Sequence, residues 1–315
     1  MKYYIAIDIG GTRMRAACYS ADQTTPLKIN RIKTRKKKSP PRKRIKKIIA
    51  SVWPQDGEVA GIGVAIPGPV DTVRGVVQNA PNIPEFNDWP LTKSVQETFG
   101  VPVFMENDAN LAALGEWKFG AGRGYDFIIY LTISTGIGSG MVLDGKLFTG
   151  AHGFAGELGH LMVEPDGPAC SCGVRGHIEA LASGTAISRW VAEQIRNGAD
   201  SRIPYDPDSD EPIPGQAIAA AAHQGDKLGL RAYRRAGAYL GRALADMLHT
   251  FNPEIIILGG GVSQSYDLFA NELHQNLRAH IMSPHFLQNL KITTAQLGDD
   301  AGLMGALVLA KSAAS

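Results

Sequence analysis

The chain opens on an apolar run, YYIAIDI at 3–9, that stops at two glycines. A run of this kind predicts a buried strand meeting a tight turn. A second run, MRAACYS at 14–20, follows Gly10-Gly11-Thr12-Arg13, so the two should form a hairpin whose turn lets backbone amides approach a ligand. LKINRIK continues as a third strand, and Pro40-Pro41 opens a helix to about Trp53. GIGVAIPGPVD at 61–71 reads as a short buried strand entering a rigid Pro-Gly loop. PNIPEFNDWP at 81–90 reads as a polar loop, where Asn82, Asn87 and Asp88 are ordinary turn formers unless a ligand recruits them. LTKSVQETFG has helical character with a glycine stop, VPVFME reads as strand, and NDANLAALGEWKFG as a helix starting at Asn107 or Asp108.

The pattern then repeats. FIIYLTISTGIGSGMVLDGKLFTG at 127–150 is again an apolar strand, a turn of Ser, Thr and Gly, a second strand and an Asp144-Gly145 hairpin turn. Two such units about 120 residues apart indicate duplicated domains, each offering a phosphate-cradling hairpin to a cleft between them. GELGHLMVEPDGPACSCGVRGHIEALASG at 156–184 reads as a Gly- and Pro-rich loop running into a helix, TAISRWVAEQIRNG. Helices are expected at about 215–223 and 226–251, the second buried, followed by a β-branched strand, PEIIILGGGVS, that ends in three glycines. YDLFANELHQNLRAHI reads as helix, LKITTA as strand and DDAGLMGALVLAKSAA as a closing amphipathic helix.

Composition narrows the class. With 315 residues, 44% hydrophobic and 20% charged, the chain suits a soluble globular protein of about two domains. No stretch approaches the ~18–20 apolar residues of a membrane helix and the N-terminus does not read as a signal peptide, so a cytoplasmic protein with no membrane partner is expected. Three cysteines, two of them one residue apart, make no disulfide framework and agree with a reducing compartment; Cys18 reads as core filler. The net charge of +2 hides an asymmetry: residues 28–47 hold twelve Lys and Arg and no acid, which leaves −10 for the rest. A solvated strand and helix face is the ordinary explanation, and a site for a polyanion the sharper one.

Three places carry candidate chemistry. Asp8, at a strand end beside glycines and a hydroxyl, suits a phosphate and its metal ion. Asp108, at a strand-to-helix junction, is either an N-cap or a catalytic carboxylate, because α/β sheets place their ligands at such junctions. His160, Cys170, Cys172 and His177 offer the two thiolates and two imidazoles of a closed tetrahedral zinc site, against the alternative that the thiols are inert. Such a knot would hold the flanking Glu157 and Glu179 rigid for a polar ligand. Asp206, Asp208 and Asp210 only faintly imitate a calcium loop, lacking its Gly and distal Glu. No G-x-x-x-x-G-K-[ST] loop is present.

With DIGGT at 8–12, PGPVD at 67–71, ENDAN at 106–110, TISTGIGSG at 132–140, GELGH at 156–160, CSCGVRGHIE at 170–179 and LGGGVS at 258–263, the chain resembles the sugar kinases of the ROK family, and within it the ATP-dependent glucokinases. The resemblance runs nearly end to end. It implies the actin-like, ribonuclease-H-like duplicated α/β fold, here as a small domain of 1–118 with the closing helix 301–315 and a large domain of 119–300. It implies ATP-dependent phosphorylation of a hexose, glucose first, with fructose, mannose and N-acetylmannosamine as alternatives. Asp108 becomes the general base, and Asn82, Asn107, Glu157, His160 and Glu179 meet the sugar hydroxyls. Gly10, Gly11, Thr12 and the turn of Thr135, Gly136 and Gly138 surround the phosphates, Asp8 lies near Mg2+, and Gly259, Gly260 and Gly261 lie beside the adenosine. His160 faces both ways, one ring nitrogen toward Zn2+ and the other toward the sugar. His177 departs from the family, which usually has a third cysteine there. A homodimer is also implied, as is inorganic polyphosphate as a donor in some members. The family's repressors carry a DNA-binding helix-turn-helix ahead of the first phosphate loop, and only seven residues precede Asp8 here, so no nucleic-acid partner is expected.

Overall fold

The structure is a computed structural model that describes residues 1–37, 39–207 and 211–314. Lys38 of the basic run, Asp208 and Asp210 of the calcium-like loop, and the terminal residue of the expected closing segment therefore lie outside the described residues. The chain divides into two compact units: Met1–Ile128, Gly140–Gly156 and Ala295–Ser315 form the first, and Ile129–Ser139 with Glu157–Thr294 the second.

The first unit begins with strands β1 (Lys2–Ile9), β2 (Arg13–Ser20) and β3 (Lys28–Lys33), helix α1 (Pro41–Val52) and strand β4 (Glu58–Ile66). A short hairpin of β5 (Val70–Asp71) and β6 (Val76–Val77), helix α2 (Leu91–Phe99), strand β7 (Val103–Asn107) and helix α3 (Asp108–Phe119) follow. The sheet has the order β3-β2-β1-β4-β7; β1 runs antiparallel to β2 and parallel to β4, and β4 is parallel to β7. A second sheet is made from β8 (Ile128–Ile133), β9 (Ile137–Leu143), β10 (Lys146–Leu147), β11 (Ile255–Gly259) and β12 (Lys291–Thr294), in the order β10-β9-β8-β11-β12. Both sheets thus set a three-strand meander beside two later strands, which is the duplication expected from the repeated hairpins. The remaining helices are α4 (Ile178–Ala182), α5 (Gly184–Arg196), α6 (Gly215–His223), α7 (Lys227–Phe251), α8 (Ala270–His280) and α9 (Ala301–Ala313).

The opening run is apolar throughout because β1 is covered on both faces. Tyr3, Ile5, Ile7 and Ile9 enter one core with Ile45, Ile48 and Ile49 of α1, while Tyr4 and Ala6 enter another with Leu111 of α3 and Leu303 and Leu307 of α9. The period-2 alternation of a strand separates the two sets. On the second face small residues dominate, Ala6, Ala17 and Ala65, and they let α9 lie close against the sheet. α9 and α3 are equally close: a Cβ on Gly305 would overlap the Leu111 carbonyl.

Three expectations are corrected. PNIPEFNDWP is not wholly loop: Pro84–Phe86 form a turn of 3-10 helix that sinks Phe86 into the core against Trp89, ring centroids 4.8 Å apart. YDLFANELHQNLRAHI is broken, with 3-10 helix to Leu268 and α8 only from Ala270. The break falls where Phe269, fully buried, turns between Tyr233 and Tyr266, so packing overrides helical spacing. The segment after the CSCG turn is likewise two helices, α4 and α5, divided at Ser183, whose hydroxyl caps α5 by accepting from Ala186 N.

The basic run occupies β3, the sheet's edge, and α1. Three of its arginines are structural. Arg44 is buried and donates to the Lys33 carbonyl at 2.6 Å, Arg35 makes two bonds to the Glu85 carboxylate, and Arg42 stacks over Trp89. Lys28, Arg31 and Lys33 stand exposed on the edge strand, where charge discourages edge-to-edge pairing.

The close α3–α9 contact generates a stability prediction. Gly305→Ala should force the two helices apart and destabilise the first unit by about 1–3 kcal/mol, read as an earlier urea transition. An unchanged midpoint would show that the helices are free to separate.

Candidate active site

In the first unit the hairpin turn between β1 and β2 is closed by its own backbone and by one side chain. Gly10 N donates to Arg13 O at 2.8 Å, Thr34 N to Thr12 O at 2.8 Å, and the fully buried Thr34 hydroxyl to Gly10 O at 2.6 Å. Asp8, half-buried at the end of β1, pairs with Arg15 directly across the hairpin, Nη2 to Oδ2 at 2.6 Å. Arg15 also donates to the Asp299 carbonyl and, at 3.0 Å, to the Asp300 carboxylate just before α9. One guanidinium therefore fixes the Asp8 carboxylate and ties the hairpin to the start of the closing helix. Sequence reading passed over Arg15, although a four-residue turn at 10–13 sets the register that puts it opposite Asp8.

At the β7–α3 junction the capping role falls to Asn107, not Asp108. Asn107 Oδ1 accepts from Ala109 N at 2.9 Å and Asn110 N at 3.2 Å, and its amide donates to Gly68 O of the PGPVD loop at 3.2 Å. Asp108 is the first residue of α3 and half-buried; its Oδ1 also receives Ala109 N, at 2.9 Å. Anionic charge is favoured at this end of a helix. Glu106, just inside, is buried and accepts from Asn107 N and the Asn110 amide; burial pushes its carboxyl above the usual range, opposed by those two bonds. Asn82 is exposed, and its Cβ lies where a Gly11 side chain would stand, so Gly11 lets the 81–90 loop reach the β1–β2 turn.

In the second unit the turn after β8 is held from two sides. Gly184 N donates to Ser134 O at 2.7 Å, and Ile137 N donates to Glu179 Oε2 at 3.0 Å. A Cβ at Gly136 would overlap that carboxylate oxygen, so a side chain there would displace the Glu179 carboxylate. The other oxygen, Oε1, accepts from the Ser171 hydroxyl at 2.9 Å and from the Cys170 thiol at 3.5 Å. Of the glycines after β11, Gly261 meets no heavy atom within 4 Å of a built Cβ and has an ordinary helical φ of −64°.

The Cys/His loop brings all four expected donors together. Ligand atoms of His160, Cys170, Cys172 and His177 lie within 4.8 Å of one another. His160 Nδ1 is 3.3 Å from His177 Nδ1 and 3.6 Å from Cys170 Sγ, and Cys172 Sγ is 3.2 Å from His177 Nδ1. The other nitrogen of His160, Nε2, points away from the cluster, 4.0 Å from Glu157 Oε2. Burial, then the neighbouring His160, holds the His177 imidazole below its usual pKa and so favours the neutral form a metal needs; burial likewise pushes the Cys170 thiol up. The loop backbone is pinned by bridges between Met162 and His177 and between Ala169 and Arg175. Ser171, hidden between two conspicuous cysteines, gave no signal of its own in the sequence.

Comparison with known proteins follows this geometry. The family model described as ROK family matches residues 4–313. A glucokinase from Thermotoga maritima is 40% identical over 309 residues, 98% of this chain and 96% of its own. A crystal structure of a ROK family glucokinase from Streptomyces griseus, in complex with glucose and AMPPNP, is 34% identical with a TM-score of 0.83 and covers 98% of this chain and 99% of that one. A ROK family transcriptional regulator is 29% identical with a TM-score of 0.87, covering 99% of this chain but 78% of that one. With a family match from the first strand to the last helix, duplicated sheets and the motifs in order, this chain belongs to the ROK family.

Proposed function

We propose that this protein transfers the γ-phosphoryl group of ATP to a hexose, glucose foremost, giving glucose 6-phosphate. The observation that carries the reading is the end-to-end match to glucokinases, one of them solved with glucose and AMPPNP. The match spans 62% of a xylose repressor and 96% of the Thermotoga glucokinase.

Asp108 is the general base of this scheme. A sugar hydroxyl is too weak an acid to be deprotonated beforehand, so the carboxylate orients it and accepts its proton as the loose transition state forms. That Asn107 takes the capping duty supports this, because Asp108 is then not needed to start the helix. Asn82, Asn107, Glu157, His160 and Glu179 bind the remaining sugar hydroxyls. The Gly10-Gly11-Thr12 turn and Thr135, Gly136 and Gly138 bind phosphate oxygens through backbone amides, and the Gly259-Gly260-Gly261 run receives the adenosine. Mg2+, when bound, neutralises charge developing on the transferred phosphoryl group. Asp8, paired with Arg15, is the carboxylate that would help hold the ion.

Zinc fits the Cys/His loop. For Zn–N of about 2.0 Å and Zn–S of about 2.3 Å, a tetrahedron has edges of about 3.3 Å between nitrogens and about 3.5 Å between nitrogen and sulfur. The His160–His177 and His160–Cys170 separations, 3.3 and 3.6 Å, match these edges, and the Cys172–His177 separation, 3.2 Å, is shorter than its edge. Four protein donors leave no open position, so the ion's part is to fix the loop. Two free thiols at such a site suit a reducing, cytoplasmic setting.

Two outcomes test this. Asp108→Asn should lower kcat by about 10²–10⁴-fold while glucose still binds in calorimetry, since the amide keeps shape but cannot accept a proton. Retention of more than about a tenth of kcat would remove Asp108 from the role. Metal analysis should find about one zinc per chain, and Cys172→Ser should lose zinc and sugar affinity together; fully active zinc-free protein would sink the structural-zinc reading.

A further inference from the structure

The second unit contains a link that the sugar-binding role of Glu179 does not require. Its carboxylate is the only described side chain bonded both to the turn after β8 and to the Cys/His loop. Oε2 takes the backbone N–H of Ile137, and Oε1 takes the hydroxyl of Ser171, the residue between the two cysteines. We propose that Glu179 is a positioning residue for the phosphate turn, held in register by Ser171, so that the Cys/His loop sets nucleotide affinity as well as sugar affinity. The inference rests on the kinase reading for the identity of the turn as a phosphate turn.

The physical case has three parts. First, the Ile137 bond is built for. It forms only because Gly136 has no side chain, and Gly184 N holds the same turn from the other side through Ser134 O. A turn that presents backbone amides to phosphate must have its shape fixed before the ligand arrives, because amides reorganised on binding lose affinity. Second, Glu179 sits in the first turn of α4, whose other four residues are buried, so its backbone is anchored while both carboxylate oxygens reach other segments. Third, Ser171 is the closer of the two donors to Oε1, the Cys170 thiol lying farther off at 3.5 Å. The Ser171 hydroxyl, at 2.9 Å, holds that oxygen, and its own place is set by metal ligands on either side.

Ser171→Ala and Glu179→Gln test the link. Both are made in the full chain, with zinc content and thermal unfolding measured beside binding of AMPPNP in the absence of sugar. Loss of a charge-assisted hydrogen bond to Glu179 should weaken AMPPNP about threefold to tenfold or more in each variant, with zinc content and melting temperature at the parent values. Amide hydrogen exchange provides a readout that needs no substrate: the peptide containing Ile137 should exchange faster in both variants and in zinc-stripped parent. AMPPNP affinity within twofold of the parent in both variants, or unchanged exchange at Ile137, overturns the proposal, as does weakening seen only where zinc is lost as well. Glucose phosphorylation by the parent, assayed alongside, tests the kinase reading separately.

Discussion

The first unit depends on how closely α9 can approach the sheet. Strand β1 buries both faces, and its alternation puts isoleucines toward α1 and small residues toward α9. Where the sheet offers Gly63 beside Ala6, Ala17 and Ala65, the α9 backbone at Ala306 settles almost onto the strands. α3 packs against α9 in the same manner, so its axis is fixed by backbone contact and not by adjustable side chains. Asp108 begins α3, and a carboxylate at the first position of a helix inherits that rigidity. Two further ties act on the same end of α9. Arg15 grips the residues just before it, and the fully buried Glu116 of α3 accepts from Gln296 N and Leu297 N at 3.2 and 2.7 Å. Asp108, Asp8 and the closing helix are thereby positioned by one packing arrangement.

The Cys/His loop of the second unit is stabilised on other terms. Between Glu157 and Gly176 few apolar residues are buried, and Met162 and Val174 face outward. Hydrophobic burial supplies little there, so order must come from backbone bridges, from glycine turns and from the four clustered donors. Glu179 follows this segment on α4, whose other four residues are buried, and it bonds back to the loop; it lies half-buried, where its bonds are less screened than at the surface.

Much of this was legible in the residues. The two hairpins, the strand runs and the long helices were readable because buried strands and amphipathic helices write their periods into the chain. The meeting of His160, Cys170, Cys172 and His177 was readable from residue type, since soft donors so close in sequence have few other reasons to cluster. Failures came where local pattern and tertiary packing disagreed. Phe269 interrupts an otherwise helical stretch because the core claims its ring, and Phe86 pulls a polar loop into a 3-10 turn for the same reason. Arg15 and Ser171 escaped notice for a different cause. Each acts through one partner distant or displaced along the chain, and an ordinary Arg or Ser gives no pattern until strand register or loop shape brings that partner near.

The histidine at 177 gains meaning from the same arrangement. In the proposed zinc site, two thiolates and two neutral imidazoles leave the complex formally uncharged, whereas the third thiolate usual in the family would make it −1. Glu179 is within 3.5 Å of the Cys170 sulfur, and Glu157 lies 4.0 Å from the far nitrogen of His160. The two carboxylates nearest the loop thus meet no added negative charge from the site. Burial that depresses the His177 pKa favours the uncharged ring that a metal requires. The imidazole at this position therefore suits a loop flanked by two carboxylates.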